Sequence, residues 1–455
     1  MSRLLISAAH KSSGKTTVTL GLCAALAERG LVVQPFKKGP DYIDPMWLGQ
    51  AAGRPCHNLD FYCMSHEEIL AAVGQYSLDA DISLIEGNKG LYDGLDLDGS
   101  NSNAALATLT RTPVILVLDA RGMTRGIAPL ILGYQGFDPA VKIAGVILNQ
   151  LGGSRHEAKL RAVIEHYTDV PVIGGVHRNP ALLIDERHLG LIPSNEALTA
   201  DRKIIEIRDG IKEQVDLDRL LAVAGREVLD FTPPTPARGY PLPAVRIGIA
   251  HDAAFGFYYP DDLIALQQAG AELVYFNTLN DTTLPAVDGV FIGGGFPETH
   301  METLERNTSL RRELRQAIAQ GLPVYAECGG LMYLSRSIRW NDNRAEMVGV
   351  IPGDTVMHAR PQGRGYVRLR ETAQAPWPSD TPPGEFAAHE FHYSSLENTT
   401  EALTFAYEVA RGTGVDGKHD GIVIHNLLAC YSHLRDTQQH HWAQRFVEFV
   451  RRQRN

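Results

Sequence analysis

The N-terminal segment restricts most what this chain can fold into. A short apolar run at 4–8 leads into Ala9-His-Lys-Ser-Ser-Gly-Lys15-Thr16, and a helical pattern over 15–29 begins inside that loop. Strand, glycine-lysine loop and helix in this order make a phosphate cradle. Backbone N–H groups at the helix start hold phosphate oxygens, the lysine reaches the outer phosphates, and the following hydroxyl ligates Mg²⁺. Of the pattern GxxxxGK[ST], the first glycine is replaced by Ala9, while Gly14-Lys15-Thr16 and the context are kept. The bland alternative is a chance Ser-Gly-Lys-Thr at a helix cap. Ser13, Gly14, Lys15, Thr16 and Thr17 are the predicted ATP-phosphate residues.

Further apolar, β-branched runs at 32–36, 82–85, 114–118, 143–148 and 172–173 alternate with helical stretches. Runs without a polar face suit parallel strands covered on both sides, so the first half reads as an α/β fold. Ligands of such sheets bind beyond the C-terminal strand ends. Glu86 ends one run, Asp41 and Asp44 follow another, and Asp93 lies close behind Glu86. Any one of these acids is as well explained as a turn or cap residue. Together they predict an anionic rim that shares a metal ion with phosphates, with Thr16, Glu86 and Asp41 as the metal residues. Asn149, at the end of the run Gly145-Val-Ile-Leu-Asn149, either reads an adenine edge or merely terminates a strand.

One seam is visible. Residues 230–244 (DFTPPTPARGYPLPA) carry five prolines, which disfavour helix and central strand and suit an extended linker. The boundaries that follow are 1–230 for a P-loop domain, 231–244 for the linker and 245–455 for a second α/β domain. In the latter, strands are predicted at 245–250, 272–276, 289–292, 323–326, 366–369, 405–408, 421–425 and 428–431. Helices are predicted at 261–268, 304–320 and 441–452.

In the second half, Leu322-Pro-Val-Tyr-Ala-Glu-Cys328-Gly-Gly330 runs from an apolar strand through a cysteine into a short helical pattern, 331–335. A sharp turn of this kind exposes its central residue and aims helix N–H groups at it, which favours a reactive thiolate. A buried structural cysteine is the competing reading. Against it stand Phe291-Ile-Gly-Gly-Gly-Phe-Pro-Glu298, whose backbone N–H groups suit an oxyanion hole, and His433, placed by Leu428-Ala-Cys-Tyr-Ser-His433 at a strand end as a general base.

With these pieces in one chain, the sequence resembles the cobyrinic acid (or hydrogenobyrinic acid) a,c-diamide synthase family over essentially its whole length. The segments that carry the likeness are Ser13-Gly-Lys-Thr-Thr-Val-Thr-Leu-Gly21, Val33-Gln-Pro-Phe-Lys, Gly39-Pro-Asp-Tyr-Ile-Asp-Pro45, Glu86-Gly with Gly90-Leu-Tyr-Asp-Gly94, Gly145-Val-Ile-Leu-Asn149, Gly294-Gly-Phe-Pro-Glu298, Ala326-Glu-Cys-Gly-Gly-Leu-Met-Tyr333 and His389-Glu-Phe-His-Tyr-Ser394. The resemblance implies an N-terminal dethiobiotin-synthetase-like P-loop domain and a C-terminal class I glutamine amidotransferase-like domain. It also implies amidation of acetate side chains on a corrin-type macrocycle with ATP, Mg²⁺ and glutamine. Carried over by position, Cys328 is the glutaminase nucleophile and His433 its base, and Gly294, Gly295 and Gly329 form the oxyanion hole. Lys15, Thr16 and Glu86 serve ATP and Mg²⁺. Lys37, Asp41, Tyr42 and Asp93 lie near the reacting carboxylate. His389, Glu390, His392 and Tyr393 help hold the macrocycle at the domain interface. Class I triads add a carboxylate two residues after the histidine. Arg435 stands there, an absence the family shares, so a dyad or another orienting group is implied.

Two departures bear on the substrate. The loop from Ala9 to Ser13 is poorer in glycine than is usual in the family, and Asn88-Lys89 replaces an apolar pair. Lys89 either touches a substrate carboxylate or is a solvated loop lysine. These features resemble a branch that amidates siroheme or sirohydrochlorin, which stays open beside the corrinoid. A P-loop regulatory ATPase would leave Cys328 and His433 without a purpose. It would also place its signature lysine where His10 stands. Dethiobiotin synthesis leaves the second half unexplained.

Charge and cysteine usage narrow the setting. The 455 residues carry 43 basic and 53 acidic side chains, a net charge of -10, which speaks against nucleic acid and anionic membranes as partners. No apolar run reaches membrane-spanning length. Five cysteines without zinc-like spacing fit reduced thiols and a cytoplasmic location. The expected partners are glutamine and an anionic tetrapyrrole or corrinoid, and a homodimer is compatible with these features.

Overall fold

A computed structural model describes residues 2–454 except 185, 188–189, 197–198, 230, 232–243 and 379–383. The chain divides into two compact units, Met1–Pro234 and Thr235–Asn455. All but residues 231 and 244 of the proline-rich linker predicted at 231–244 lie outside the described residues.

The first unit is built on seven strands: β1 (Ser2–Ala8), β2 (Val33–Lys38), β3 (His57–Leu59), β4 (Ile82–Glu86), β5 (Val114–Asp119), β6 (Ile143–Leu151) and β7 (Val172–His177). Their order is β3-β2-β4-β1-β5-β6-β7, and every pairing is parallel. The strands are buried on both faces because their side chains alternate between two cores. Leu4 and Ile6 of β1 join the cluster formed with helix α1 (Lys15–Glu28), while Leu5 joins the opposite cluster with Phe36, Ile85 and Leu116. The doubly covered parallel sheet read from the apolar runs is therefore present. The short β3 has too few residues to show a pattern of its own.

The second unit holds a nine-stranded sheet that changes character halfway. Ala271–Phe276, Val245–Ala250, Gly289–Ile292, Val324–Glu327 and Leu427–Cys430 pair in parallel. His419–Ile424, Thr404–Arg411, Gly363–Glu371 and Glu385–His392 continue it antiparallel. Four further strands, Asn343–Glu346, Ser335–Trp340, Ile351–Met357 and Ser394–Glu397, form a separate sheet. Two predicted helices need correction. The stretch 304–320 is two helices, Met301–Arg306 and Thr308–Ala319, because Asn307 leaves helical backbone and caps the second through Leu310 N–H. The pattern at 331–335 ends at Leu334 in helix Gly329–Leu334, and Ser335 opens a strand instead.

No helix among the described residues is long and apolar enough to cross a membrane. All five cysteines are buried as thiols.

Candidate active site

Each unit carries one candidate site. In the first, β1 delivers the loop 9–14 at its C-terminal end, and α1 starts at Lys15 with Gly14 in the left-handed region (φ 85°). A side chain at Gly14 would put its Cβ 2.1 Å from Asn149 Nδ2, so this position tolerates only glycine. The loop is braced from within and without. Ser13 Oγ donates to the His10 carbonyl at 2.8 Å, and Asn149 Nδ2 donates to the Ser13 carbonyl at 2.9 Å. Asn149, buried near the end of β6, thus braces the cradle itself. Thr17 follows in the first turn of α1, partly buried.

Around the cradle the strand ends bring together a charged cluster. Thr16 Oγ1 donates to Glu86 Oε1 at 3.0 Å and to Asp44 Oδ2 at 3.2 Å. Lys37, the penultimate residue of β2, contacts the same two oxygens at 2.6 and 2.5 Å. Burial alone would push the Lys37 ammonium down, but Asp44 and Glu86 outweigh it and hold its pKa well above the ordinary lysine value. Burial raises Glu86, whose side chain is fully enclosed, with Lys37 opposing the shift. Asp44 replaces Asp41 as the acidic neighbour of Glu86. The Asp41 Oδ1 accepts the backbone N–H groups of Ile43 and Asp44 at 3.0 and 3.1 Å, which caps helix Ile43–Ala52, and its Oδ2 stays 3.7 Å from Lys37. Tyr42 is the cap position of that helix. Asp93 is exposed and turns back on its own loop, accepting from Gly90 N–H at 2.9 Å, so it stands apart from the Thr16–Asp44–Glu86 group.

The donor set suits Mg²⁺. Thr16, Asp44 and Glu86 offer hard oxygens at one point, and Glu86 Oε2 is buried without a hydrogen-bond partner. Among the described residues no group of three or more His, Cys, Asp or Glu side chains forms a metal cage of its own. A Mg²⁺ ion held together with substrate phosphates needs no such cage.

The loop after β4, which carries Lys89, and Lys38 at the end of β2 border this site. Lys15 Nζ donates to the Lys89 carbonyl at 2.6 Å. Asn103, fully buried at the start of a helix, donates to the carbonyls of Asn88 and Gly90 and accepts from Asn88 N–H. The Lys89 side chain is exposed, and Lys38 Nζ lies 3.3 Å from Asn88 Oδ1. Burial, reinforced by Lys89 and Lys37 against the pull of Asp60, lowers the Lys38 pKa to about 8. Asn103 is a residue the sequence reading missed. As an asparagine opening a helix it looks like an ordinary cap.

In the second unit, Cys328 sits between strand Val324–Glu327 and helix Gly329–Leu334 with φ 47° and ψ −99°. A non-glycine residue in this conformation is strained by roughly 1–3 kcal/mol, a mark of the nucleophile elbow. The cysteine is more enclosed than a bare elbow predicts, with 6% of its surface exposed, because the strand Glu385–His392 runs alongside and its Phe391 carbonyl lies 3.9 Å from Sγ. Backbone packs against backbone here. A Cβ on Gly295 would meet the Ala254 carbonyl at 2.0 Å, and one on Gly329 would meet Gly295 N at 2.9 Å. A Cβ on Gly294 would lie 2.7 Å from His433 Cε1. Gly294, Gly295, Gly329, Cys328 and His433 therefore share one small region.

His433 hydrogen-bonds with Cys328 and, through Nδ1, with Glu327 Oε2 at 3.3 Å. Burial would lower its pKa, yet these two partners raise it to about 10. Its ring stacks on His389 at 4.8 Å, and the two backbones pair as an isolated bridge. His389 is held well below the ordinary histidine value by burial, then by His433 and Arg435. The His389–Tyr393 stretch was expected to grip a macrocycle, and three of its side chains are buried inside this unit instead. His389 backs His433, Glu390 accepts the Thr413 and Gly414 N–H groups at 2.8 Å each, and His392 stacks on Tyr431 at 4.0 Å. Tyr393 is partly exposed, with its ring 5.7 Å from that of Phe391.

Comparison with known proteins assigns both units. Residues 5–192 match the CobQ/CobB/MinD/ParA nucleotide binding domain, and residues 246–439 match the CobB/CobQ-like glutamine amidotransferase domain. A cobyrinate a,c-diamide synthase of Magnetococcus marinus is 46% identical over 455 residues, covering 99% of this chain and 97% of that protein. One from Methanosarcina acetivorans is 42% identical, covering 98% and 95%. One from Archaeoglobus fulgidus is 40% identical, covering 98% and 97%. Among solved structures, PurLQS from Thermotoga maritima aligns with 47% of this chain and all of that one at 13% identity and a TM-score of 0.37.

Proposed function

The chain belongs to the cobyrinate a,c-diamide synthase family of glutamine-dependent amidating ligases, and from that premise we propose that it converts the a and c acetate side chains of cobyrinic or hydrogenobyrinic acid to amides, using ATP. The observation that carries this reading is the chemistry of the two sites in one chain. One unit has a phosphate cradle whose rim bears Lys37, Lys38 and Lys89. The other has a strained cysteine beside a histidine raised to about 10.

A carboxylate is a poor electrophile and must first be activated. One of its oxygens attacks the γ-phosphorus of ATP, ADP leaves, and an acyl phosphate results. Lys15 is placed to stabilise the charge that builds on the transferring oxygens, with the backbone N–H groups at the start of α1. Thr16, Asp44 and Glu86 would hold Mg²⁺, which supplies further charge neutralisation on the phosphates. Lys38 and Lys89, which flank Asn88 beside the cradle, supply the positive charge that the acetate groups of a polyanionic macrocycle would need.

Ammonia is scarce as a free base at neutral pH and is therefore made from glutamine. Cys328 Sγ attacks the side-chain amide carbon, and the backbone N–H groups around Gly294, Gly295 and Gly329 suit the oxyanion that forms. His433 gives its proton to the departing ammonia. Water then hydrolyses the glutamyl thioester to glutamate and free Cys328. Ammonia attacks the acyl phosphate, and phosphate leaves as the amide forms.

Mass spectrometry after incubation with ATP, Mg²⁺ and glutamine tests the assignment, with cobyrinic acid, hydrogenobyrinic acid, sirohydrochlorin and siroheme offered in parallel. Two successive replacements of hydroxyl by amine on a corrinoid are expected. Amidation of siroheme or sirohydrochlorin alone overturns the corrinoid reading.

A further inference from the structure

His433 needs a partner that fixes its ring, and the position two residues on cannot supply one. Arg435 stands there, and its guanidinium pairs with Asp261 at 3.1 Å and lies over the Tyr259 ring. We propose that Glu327, the residue immediately before the nucleophile, is the positioning residue for His433, taking the place of the carboxylate that other class I glutaminases carry after the histidine.

The geometry is that of a held carboxylate. Glu327 Oε2 lies 3.3 Å from His433 Nδ1. Its other oxygen accepts the backbone N–H of Leu434 at 2.8 Å and the Tyr325 hydroxyl. One of its anchors is thus the peptide adjoining the histidine it faces. Both side chains are buried to 3% exposure, where a charge–dipole contact is little screened. With Nδ1–H given to Glu327, Nε2 is the nitrogen left to exchange a proton with the Cys328 thiol. The imidazolium that forms is stabilised by the same carboxylate.

The other groups around His433 do not duplicate this role. His389 stacks on its far face and is kept neutral by burial, by His433 and by Arg435. Arg435 is positive and engaged with Asp261. Cys328 is the acid–base partner itself. Strand pleat explains why a residue next to the nucleophile can serve. Glu327 is the last residue of its strand, in register with Cys430, and its side chain leaves on the side opposite to its neighbour's. The elbow then turns the thiol back toward the ring from the other direction.

The assignment rests on the glutaminase reading of Cys328 and His433, and it is tested on the full chain. Glu327→Gln keeps the shape and an oxygen for Leu434 N–H but removes the charge. Glutamine-driven kcat is expected to fall on the order of 100-fold or more, with KM for glutamine within about threefold of the parent. Ammonium-driven amidation is expected to be unchanged. Alkylation of Cys328 by iodoacetamide, followed by peptide mass spectrometry, adds a readout that a purely structural role would leave alone. Loss of the carboxylate moves its pH profile to higher pH, whereas Glu327→Asp keeps the parental profile. Parental glutamine-driven activity in E327Q overturns the proposal, and so does an unshifted alkylation profile. If E327Q is too unstable to assay, a shifted profile in E327D overturns it equally, and a parental one upholds it. Cys328→Ser, run alongside, separates the two claims: glutamine-driven activity persisting there would remove the glutaminase reading itself, whatever Glu327 does.

Discussion

Lys15 Nζ donates to the carbonyl oxygen of Lys89 at 2.6 Å, so the phosphate lysine and the loop after β4 are tied directly together. Lys89 adopts φ 42°, an uncommon conformation for a lysine, and Asn103 holds the peptide groups on both sides of it. The phosphate loop and the loop after β4 thereby share one backbone carbonyl. Lys15 keeps two further N–H donors for phosphate oxygens while it holds the loop that presents Lys89.

Lys15→Ala is expected to stop amidation with either glutamine or ammonium chloride as nitrogen source. Electrostatic groups aimed at a transition state are typically worth about 100-fold or more each. Product formation measured with both sources checks this, and full activity in the variant would remove the phosphate-cradle assignment.

Asn103→Ala strips the loop 88–90 of its side-chain brace and leaves buried carbonyls unpaired. A destabilisation of roughly 1–3 kcal/mol is expected, together with a higher KM for ATP. Denaturant unfolding and nucleotide kinetics measure the two effects. A variant that loses stability while keeping the parental KM would show that the loop takes no part in nucleotide binding.

Cys328→Ser is expected to abolish amidation driven by glutamine while high ammonium chloride still supports it. Product formation with each nitrogen source distinguishes this from a collapse of the protein, which would remove both activities.

Lys38 provides a pH dependence with a definite sign. Burial, Lys89 and Lys37 bring its pKa down to about 8, so its ammonium is present below that pH and lost above it. If it holds a substrate acetate, KM for the macrocycle rises as pH climbs through about 8, while Lys38→Met has a high KM that changes little across the same range. Initial rates at saturating ATP and glutamine give the curve. Identical profiles for the two proteins would exclude Lys38 from the acceptor site.

The sequence made legible the features carried by a strong local pattern. The run at 4–8 and the loop behind it predict β1, the cradle and α1, because apolar continuity and a Gly-Lys-Thr turn are properties of adjacent residues. The elbow at Cys328 is legible for the same reason, and so is the placement of Glu86 at a strand end. Errors arose where a polar residue could serve itself or a distant partner. Asp41 caps the helix that follows it, so Asp44 meets Thr16 instead. The bond from Asn149 to the Ser13 carbonyl, a partner 136 positions away, was not foreseen.

By itself the sequence determined two α/β units, the order of their strands along the chain and the kinds of groups set at the strand ends. Local hydrophobic period and turn chemistry are sufficient for that. Only the tertiary structure decided which groups meet. Glu327 and His433 are 106 residues apart and come together because Val324–Glu327 pairs in register with Leu427–Cys430. Register and pleat set the direction of each side chain, and a one-residue slip would turn Glu327 away from the imidazole. The order of strands within each sheet, the antiparallel half of the second one and the Lys15–Lys89 tie follow from such long-range pairing as well, which no stretch of adjacent residues encodes.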